Sequence, residues 1–198
     1  MEENEVVFDA VEAKPVSNST ELQEAEEVEF GDFSDSIKFD VQLAEGDESK
    51  FFEIDSVIVK KPVTIDANGA EVPMKVSQDG KKSYYQSKLI LTFKDTNYAA
   101  IVPNIKWFKS VKEVDGKQKT FLNPWFNVKL QEKDLTNNLV SDVSKLFYRY
   151  CKKKGLDIQK TTQKSFFEGL KGMKVKLESL SGEYKGKEYA RLRVVEFE

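Results

Sequence analysis

The chain closes on GMKVKLESLSGEYKGKEYARLRVVEFE, residues 172–198, and the reading of this stretch decides the fold. Two alternating runs, Met173–Leu180 and Glu188–Phe197, flank a turn-like segment holding Tyr184, Lys185, Gly186 and Lys187. Successive side chains of a strand point to opposite faces, so the last run places Ala190, Leu192 and Val194 together. Tyr189, Arg191 and Arg193 share the other face. The pattern predicts a closing β-hairpin with one core face. Its cations suit either of two roles. They can protect a solvated edge from aggregation, or they can hold a polyanion.

Upstream of this hairpin the hydrophobic period changes. Leu139, Val143, Leu146, Phe147 and Tyr150 follow helical spacing, and Gly155 terminates the run. A second, shorter helix is expected over Thr162–Leu170, burying Phe166, Phe167 and Leu170. Further upstream the pattern is that of strands. IKFDVQL (37–43), FFEIDSVIV (51–59), SYYQSKLILTF (83–93) and YAAIVPNIKWF (98–108) all read as β. Pro62, Asn68-Gly69, Pro73 and Asp79-Gly80 mark a long loop, or a loop carrying a small hairpin, over 60–82. Asp115-Gly116 predicts a tight hairpin joining KWFKSVKEV to KTFLNPWFNVKL. Pro103 and Pro124 point to strand ends, edges or bulges. The resulting order is several strands, a helical insertion, then two last strands. It matches a mainly β, OB-fold-like five-stranded barrel with an extra N-terminal strand.

Composition divides the chain in two. Residues 1–36 hold twelve acids against Lys14, for −11, and residues 37–198 hold twenty-two acids against thirty bases, for +8. Together these give the net charge of −3. The first segment lacks sustained periodicity and reads as a disordered acidic tail, because it cannot bury enough apolar surface to offset chain entropy. It serves as a solubilising arm, or as a peptide that competes with anions or docks on a partner. The second segment, 37–198, reads as one basic domain.

Several chemistries are disfavoured. The chain has no histidine, which removes the commonest general base and most transition-metal sites. The single cysteine, Cys151, leaves no intrachain disulfide and argues against structural zinc. Neither phosphate-loop nor dinucleotide-binding glycine motifs occur. No spaced carboxylate set suggests acid–base work, so the expectation is a protein that is not an enzyme and needs no cofactor or metal. No long apolar run predicts a membrane span, and no signal peptide is evident, which places the chain in a cytoplasmic setting.

The segment FFEGLKGMKVKLESLSGEYKGKEYARLRVVEF, residues 166–197, resembles the closing part of bacteriophage and plasmid single-stranded DNA-binding proteins of the OB-fold type. The shared pattern is a helix ending in an L-x-G step, a K/V-rich strand, then Y-x-G-K-x-Y and a final strand. The resemblance implies sequence-independent binding of single-stranded DNA in replication or recombination, a viral origin and a host-cytoplasmic location. The acidic segment lies at the N-terminus here, a departure from the commonest bacterial arrangement. Contact with replication or recombination proteins through that tail follows from the resemblance alone.

Strand parity yields candidate contacts. In SYYQSKLILTF, Tyr85, Leu89, Leu91 and Phe93 form the apolar set, leaving Tyr84 and Lys88 opposite. In KTFLNPWFNVKL, Leu122, Phe126, Val128 and Leu130 are apolar, leaving Phe121, Trp125 and Lys129. Tyr189, Arg191 and Arg193 supply a third aromatic–cation set. Tyr184, Lys185 and Lys187 lie in the expected final loop, and Lys81 and Lys82 end the long first loop. Single-strand binders need this mixture, since cations neutralise phosphates and aromatic faces stack on bases. Each residue alone also fits packing or solvation, so the recurrence on three strands carries the inference. Trp107, Phe108 and Lys109 are ambiguous because Pro103 can shift the register before them. Arg149 and Lys152–Lys154 suit the C-terminal end of a helix dipole. RNA is an alternative ligand. A structural or viral assembly module, using its exposed aromatics as a protein interface, is the alternative function.

Overall fold

A computed structural model describes residues 39–77, 80–184 and 186–198, with the side chains of Tyr184 and Lys187 left out. The acidic segment 1–36 and Lys185 lie outside the described residues. The elements are β1 (Phe51–Val59), β2 (Lys75–Val76), β3 (Ser83–Phe93), β4 (Ala99–Val114), β5 (Lys117–Trp125), α1 (Asp142–Lys154), α2 (Gln163–Leu170), β6 (Lys174–Tyr184) and β7 (Lys187–Phe197). The architecture is mainly β, with two α-helices inserted before the last hairpin. A 3-10 turn, Glu132–Thr136, precedes α1.

Five strands close into a ring. β3 pairs with β1, β1 with β6, β6 with β7, β7 with β4, and β4 returns to β3. All these pairings are antiparallel except β4 with β7, which meet in parallel register at Ala100 and Leu192. β2 adds to the far side of β3, and β5 adds to β4.

Alternation places the large apolar groups inside the ring. Ile54, Leu89, Leu91, Ile105, Val175, Leu177 and Leu192 are fully or almost fully buried there. α1 and α2 bring Val143, Leu146, Phe147, Phe166, Phe167 and Leu170 into the same core. Phe126, Phe147, Tyr150 and Phe166 pack edge-on or tilted, with centroids 5.1–5.5 Å apart. Each such side chain contributes roughly 1.5–3 kcal/mol by leaving water. Gly155 ends α1 in the left-handed conformation at φ 65°, as its position suggested.

β4 reverses its facing part-way along. Ser87 pairs with Ile105 and Leu89 with Val102, so Pro103 and Asn104 together oppose Lys88. This is a β-bulge, with Asn104 at φ 64°. Before it, Ala100 and Val102 face the core; after it, Ile105 and Trp107 do. The ambiguity at Trp107–Lys109 is thereby resolved. Trp107 is 6% exposed and donates its indole N–H to Ser87 Oγ at 2.6 Å.

Two expectations need correcting. IKFDVQL does not form an added strand over its described residues. Asp40 makes one isolated parallel bridge to Tyr98, and Phe39 packs on a small outer cluster of Ile58, Ile90 and Ala99. The chain then leaves the sheet, with Leu43 N–H donating to Ser179 Oγ and Ala44 N–H to Tyr98 Oη, both at 2.9 Å. Leu139 is 92% exposed because α1 starts three residues later, after a turn in which Asn137 Oδ1 accepts from Leu139 N–H. The loop over 60–82 does carry a small turn, closed by an Ile65–Glu71 bridge. Among the described residues no helix is long and apolar enough to cross a membrane.

Two substitutions test this packing. A Cβ at Gly169 would lie 1.9 Å from Tyr150 Oη, so Gly169→Ala is expected to lose about 1–3 kcal/mol, read as a fall in thermal midpoint. Asn104→Val forces a β-branched residue to positive φ. It should cost about 1–2 kcal/mol in denaturant titration, while Asn104→Gly is tolerated. Equal stability of the two Asn104 variants would contradict the bulge.

Candidate nucleic-acid interface

The bulge at Pro103–Asn104 turns Lys106, Phe108, Ser110 and Lys112 outward, beside the outward set of β3. Tyr84, Gln86 and Lys88 supply that set, and β5 continues the face with Lys119, Phe121, Asn123 and Trp125. The register aligns them in rows. Lys75 opposes Tyr84, Gln86 opposes Lys106, and Lys106 opposes Trp125. Farther along, Phe108 opposes Asn123, Ser110 opposes Phe121, and Lys112 opposes Lys119. Directly opposed side chains in a sheet stand about 5 Å apart, so these groups form one surface.

Its chemistry is that of interleaved cations and rings. Lys106 Nζ stands 4.9 Å from the centre of the Tyr84 ring, which meets Phe108 edge-on at 6.1 Å. Lys82 Nζ lies 5.9 Å from the Phe108 centroid, and Lys112 Nζ lies 6.0 Å from Phe121. Lys75 donates to Gln86 Oε1, and Asn123 Nδ2 donates to Ser110 Oγ at 2.9 Å. Trp125 is 45% exposed, the most open of the four rings. A cation over a ring holds that ring's orientation while keeping its own charge near solvent. No outward position of this surface, from Tyr84 to Lys88, Lys106 to Lys112 and Lys119 to Trp125, carries a carboxylate.

Four of the predicted contacts, Tyr84, Lys88, Phe121 and Trp125, therefore gather on one face. Sequence reasoning missed Lys75, Lys106 and Lys112 as members, left Phe108 ambiguous, and placed Lys82 only in a loop. The available signal was Pro103-Asn104: treated as a bulge, it moves the even-numbered residues after it to the outside. Lys129 is exposed but sits in the turn beyond β5, where its N–H donates to Asn127 Oδ1.

The closing hairpin contributes elsewhere. Arg191 donates to Asp142 Oδ2 at 2.6 Å and to the Ile101 carbonyl at 3.2 Å, tying β7 to α1 and β4. Arg193 grips Glu178 through Nε and Nη2, across the β6–β7 ladder. Ile101 precedes Lys106 by five positions on β4, roughly 16 Å of extended chain. Tyr189 is 46% exposed, but its ring lies over Gly182, directly opposite. A Cβ at Gly182 would come within 3.1 Å of three Tyr189 atoms. The Arg191 and Arg193 groups thus have structural partners, and Tyr189 packs on the hairpin. Tyr184 and Lys187 end the two strands as an opposed pair.

Cys151 is buried on α1, and burial pushes its thiol up from the ordinary value, the reverse of what a nucleophile needs. Set against known proteins, the chain matches no family model, no curated protein and no solved structure.

Proposed function

We infer that this chain is a non-enzymatic, OB-type protein that binds single-stranded DNA with little sequence preference. The observation that carries the reading is the outward face of β3, β4 and β5, where Tyr84, Phe108, Phe121 and Trp125 alternate with Lys75, Lys82, Lys106 and Lys112. Lysines neutralise phosphates without regard to sequence, and every base offers a flat face to a ring. Stacking contributes roughly 1–3 kcal/mol per base.

The ring order supports the OB assignment. With β1, β3, β4, β6 and β7 as its five strands, the helices fall between the third and the fourth. The third and fifth then pair in parallel. The aromatic–cation face lies on the second and third strands, where such barrels commonly hold oligonucleotides. A role in replication or recombination, a viral source and a host-cytoplasmic location follow from the resemblance of residues 166–197. So does engagement of partner proteins by the acidic segment.

A second reading has its own support. Val63, Ile65, Val76 and Val111 are exposed on the loop over 60–82, on β2 and on the β4–β5 ribbon, as a protein-binding rim would be.

Of the two tryptophans, Trp107 is buried and Trp125 is open, so Trp125 is the reporter. Adding oligo-dT at low salt should quench its fluorescence, with recovery on adding salt. Trp125→Ala should weaken binding about 5- to 30-fold, and Lys106→Ala should lower the slope of log affinity against log salt by about 0.7. Absence of quenching at micromolar protein would sink the strand-binding reading. A stable oligomer in light scattering, dissociated by Trp125→Ala, would establish the protein interface instead. Titration with oligo-rU alongside oligo-dT separates RNA from DNA.

A further inference from the structure

On the side of the ring where α1 crosses β7, charge is out of balance. Four cations gather there: Lys145 and Arg149, one turn apart on α1, with Arg191 and Arg193 on β7. They face two carboxylates, Asp142 at the start of α1 and Glu178 on β6. Asp142 is engaged by Arg191 and Glu178 by Arg193. Among the described residues Arg149 reaches only the Val194 carbonyl, through Nη1 at 3.4 Å. The Lys145 side chain is 5% exposed, and its ammonium, which keeps a solvent-facing edge, has no hydrogen-bond or ion-pair partner among the described residues. Two positive charges are therefore left over, one of them on a buried side chain.

An unpaired charge whose side chain is largely withdrawn from water is costly, even where the charged atom keeps a solvent-facing edge. The strain registers on both groups. Burial first, then the neighbouring Arg193 and Arg149, hold Lys145 below the ordinary lysine range, against the opposing pull of Asp142. Burial and Arg193 lower Arg149 likewise, with Asp142 and Glu178 opposing. A methionine at position 145 would fill the same volume.

We propose that Lys145, Arg149 and Arg193 form a phosphate-binding site, distinct from the aromatic face on β3–β5. An excess of two positive charges matches a phosphate, which carries about −1.5 to −2 as a monoester, better than a single carboxylate. Two guanidiniums beside one ammonium also provide the forked donors that phosphate oxygens accept well. The group is supplied by a free phosphate or a nucleotide's terminal phosphate, which offsets both charges, or by the backbone of a bound strand, whose phosphodiester carries one negative charge and offsets one of them. The site stands whether or not the face on β3–β5 binds DNA.

The test is thermal denaturation with inorganic phosphate against sodium chloride and sodium acetate at matched ionic strength. At about five times its Kd, phosphate should raise the wild-type midpoint by about 2–4 °C over both controls. Lys145→Met should abolish that rise while melting no lower than wild type in chloride. Arg149→Gln serves as the second variant should Lys145→Met fold poorly. Absence of a rise in the wild type, an equal rise with acetate, or its retention in both variants would overturn the site. Oligo-dT titration assigns the source. If a strand supplies the phosphate, Lys145→Met lowers the salt slope by about 0.7. If oligo binding is unchanged while the phosphate effect is lost, the ligand is a free phosphate or nucleotide. A phosphate effect without oligo binding by the wild type would remove the strand-binding reading and leave this site intact.

Discussion

Strand β4 has to serve two surfaces, and the bulge at Pro103–Asn104 is how one strand does so. Its first part walls the core with Ala100 and Val102 and joins β7. Its second part buries Ile105 and Trp107 while turning Lys106 and Phe108 outward. Without the extra residue the same sequence would drive Lys106 and Phe108 inward and leave the indole of Trp107 in water. Proline suits the position because it has no N–H to offer the ladder, and asparagine because it tolerates positive φ. The face proposed to bind nucleic acid thus depends on a single irregularity in the sheet.

Much of the architecture was legible in residue patterns. The apolar alternation of Tyr85, Leu89, Leu91 and Phe93 matched burial, as did Leu192 and Val194 on β7. Helical spacing from Val143 to Tyr150 and the terminating Gly155 matched α1. Leu139 misled because helical spacing is satisfied by any residue at the right interval, while the chain turns before Ser141. IKFDVQL misled for a related reason: alternation records which side chains are buried, not whether the backbone finds a ladder partner. Phe39 is packed on the sheet, yet only Asp40 bridges to it.

For the candidate site, sequence supplied ingredients and the fold supplied neighbours. Parity within one strand is local and was read correctly for Tyr84, Phe121 and Trp125. Which strands lie side by side is not local. Lys106, facing both Tyr84 and Trp125, could be found only from the pairing of β4 with β3 and β5. The same limit explains Arg191 and Arg193. Their alternation suggested a ligand face, and the carboxylates that engage them, Asp142 and Glu178, come from separate elements that parity within β7 cannot show.

The parallel seam between β4 and β7 carries a consequence for how the molecule assembles. Ala100 and Leu192 are 92 positions apart, and they form the single register pair that shuts the ring. The length-dependent entropy of closing a loop that long is roughly 4 kcal/mol. Zipping the β4–β5 and β6–β7 hairpins and folding the two helices shortens the effective loop. Arg191, bridging the Ile101 carbonyl and Asp142, then acts as a latch over the joint. In this topology the seam is the natural last step of folding and the first place for the ring to breathe.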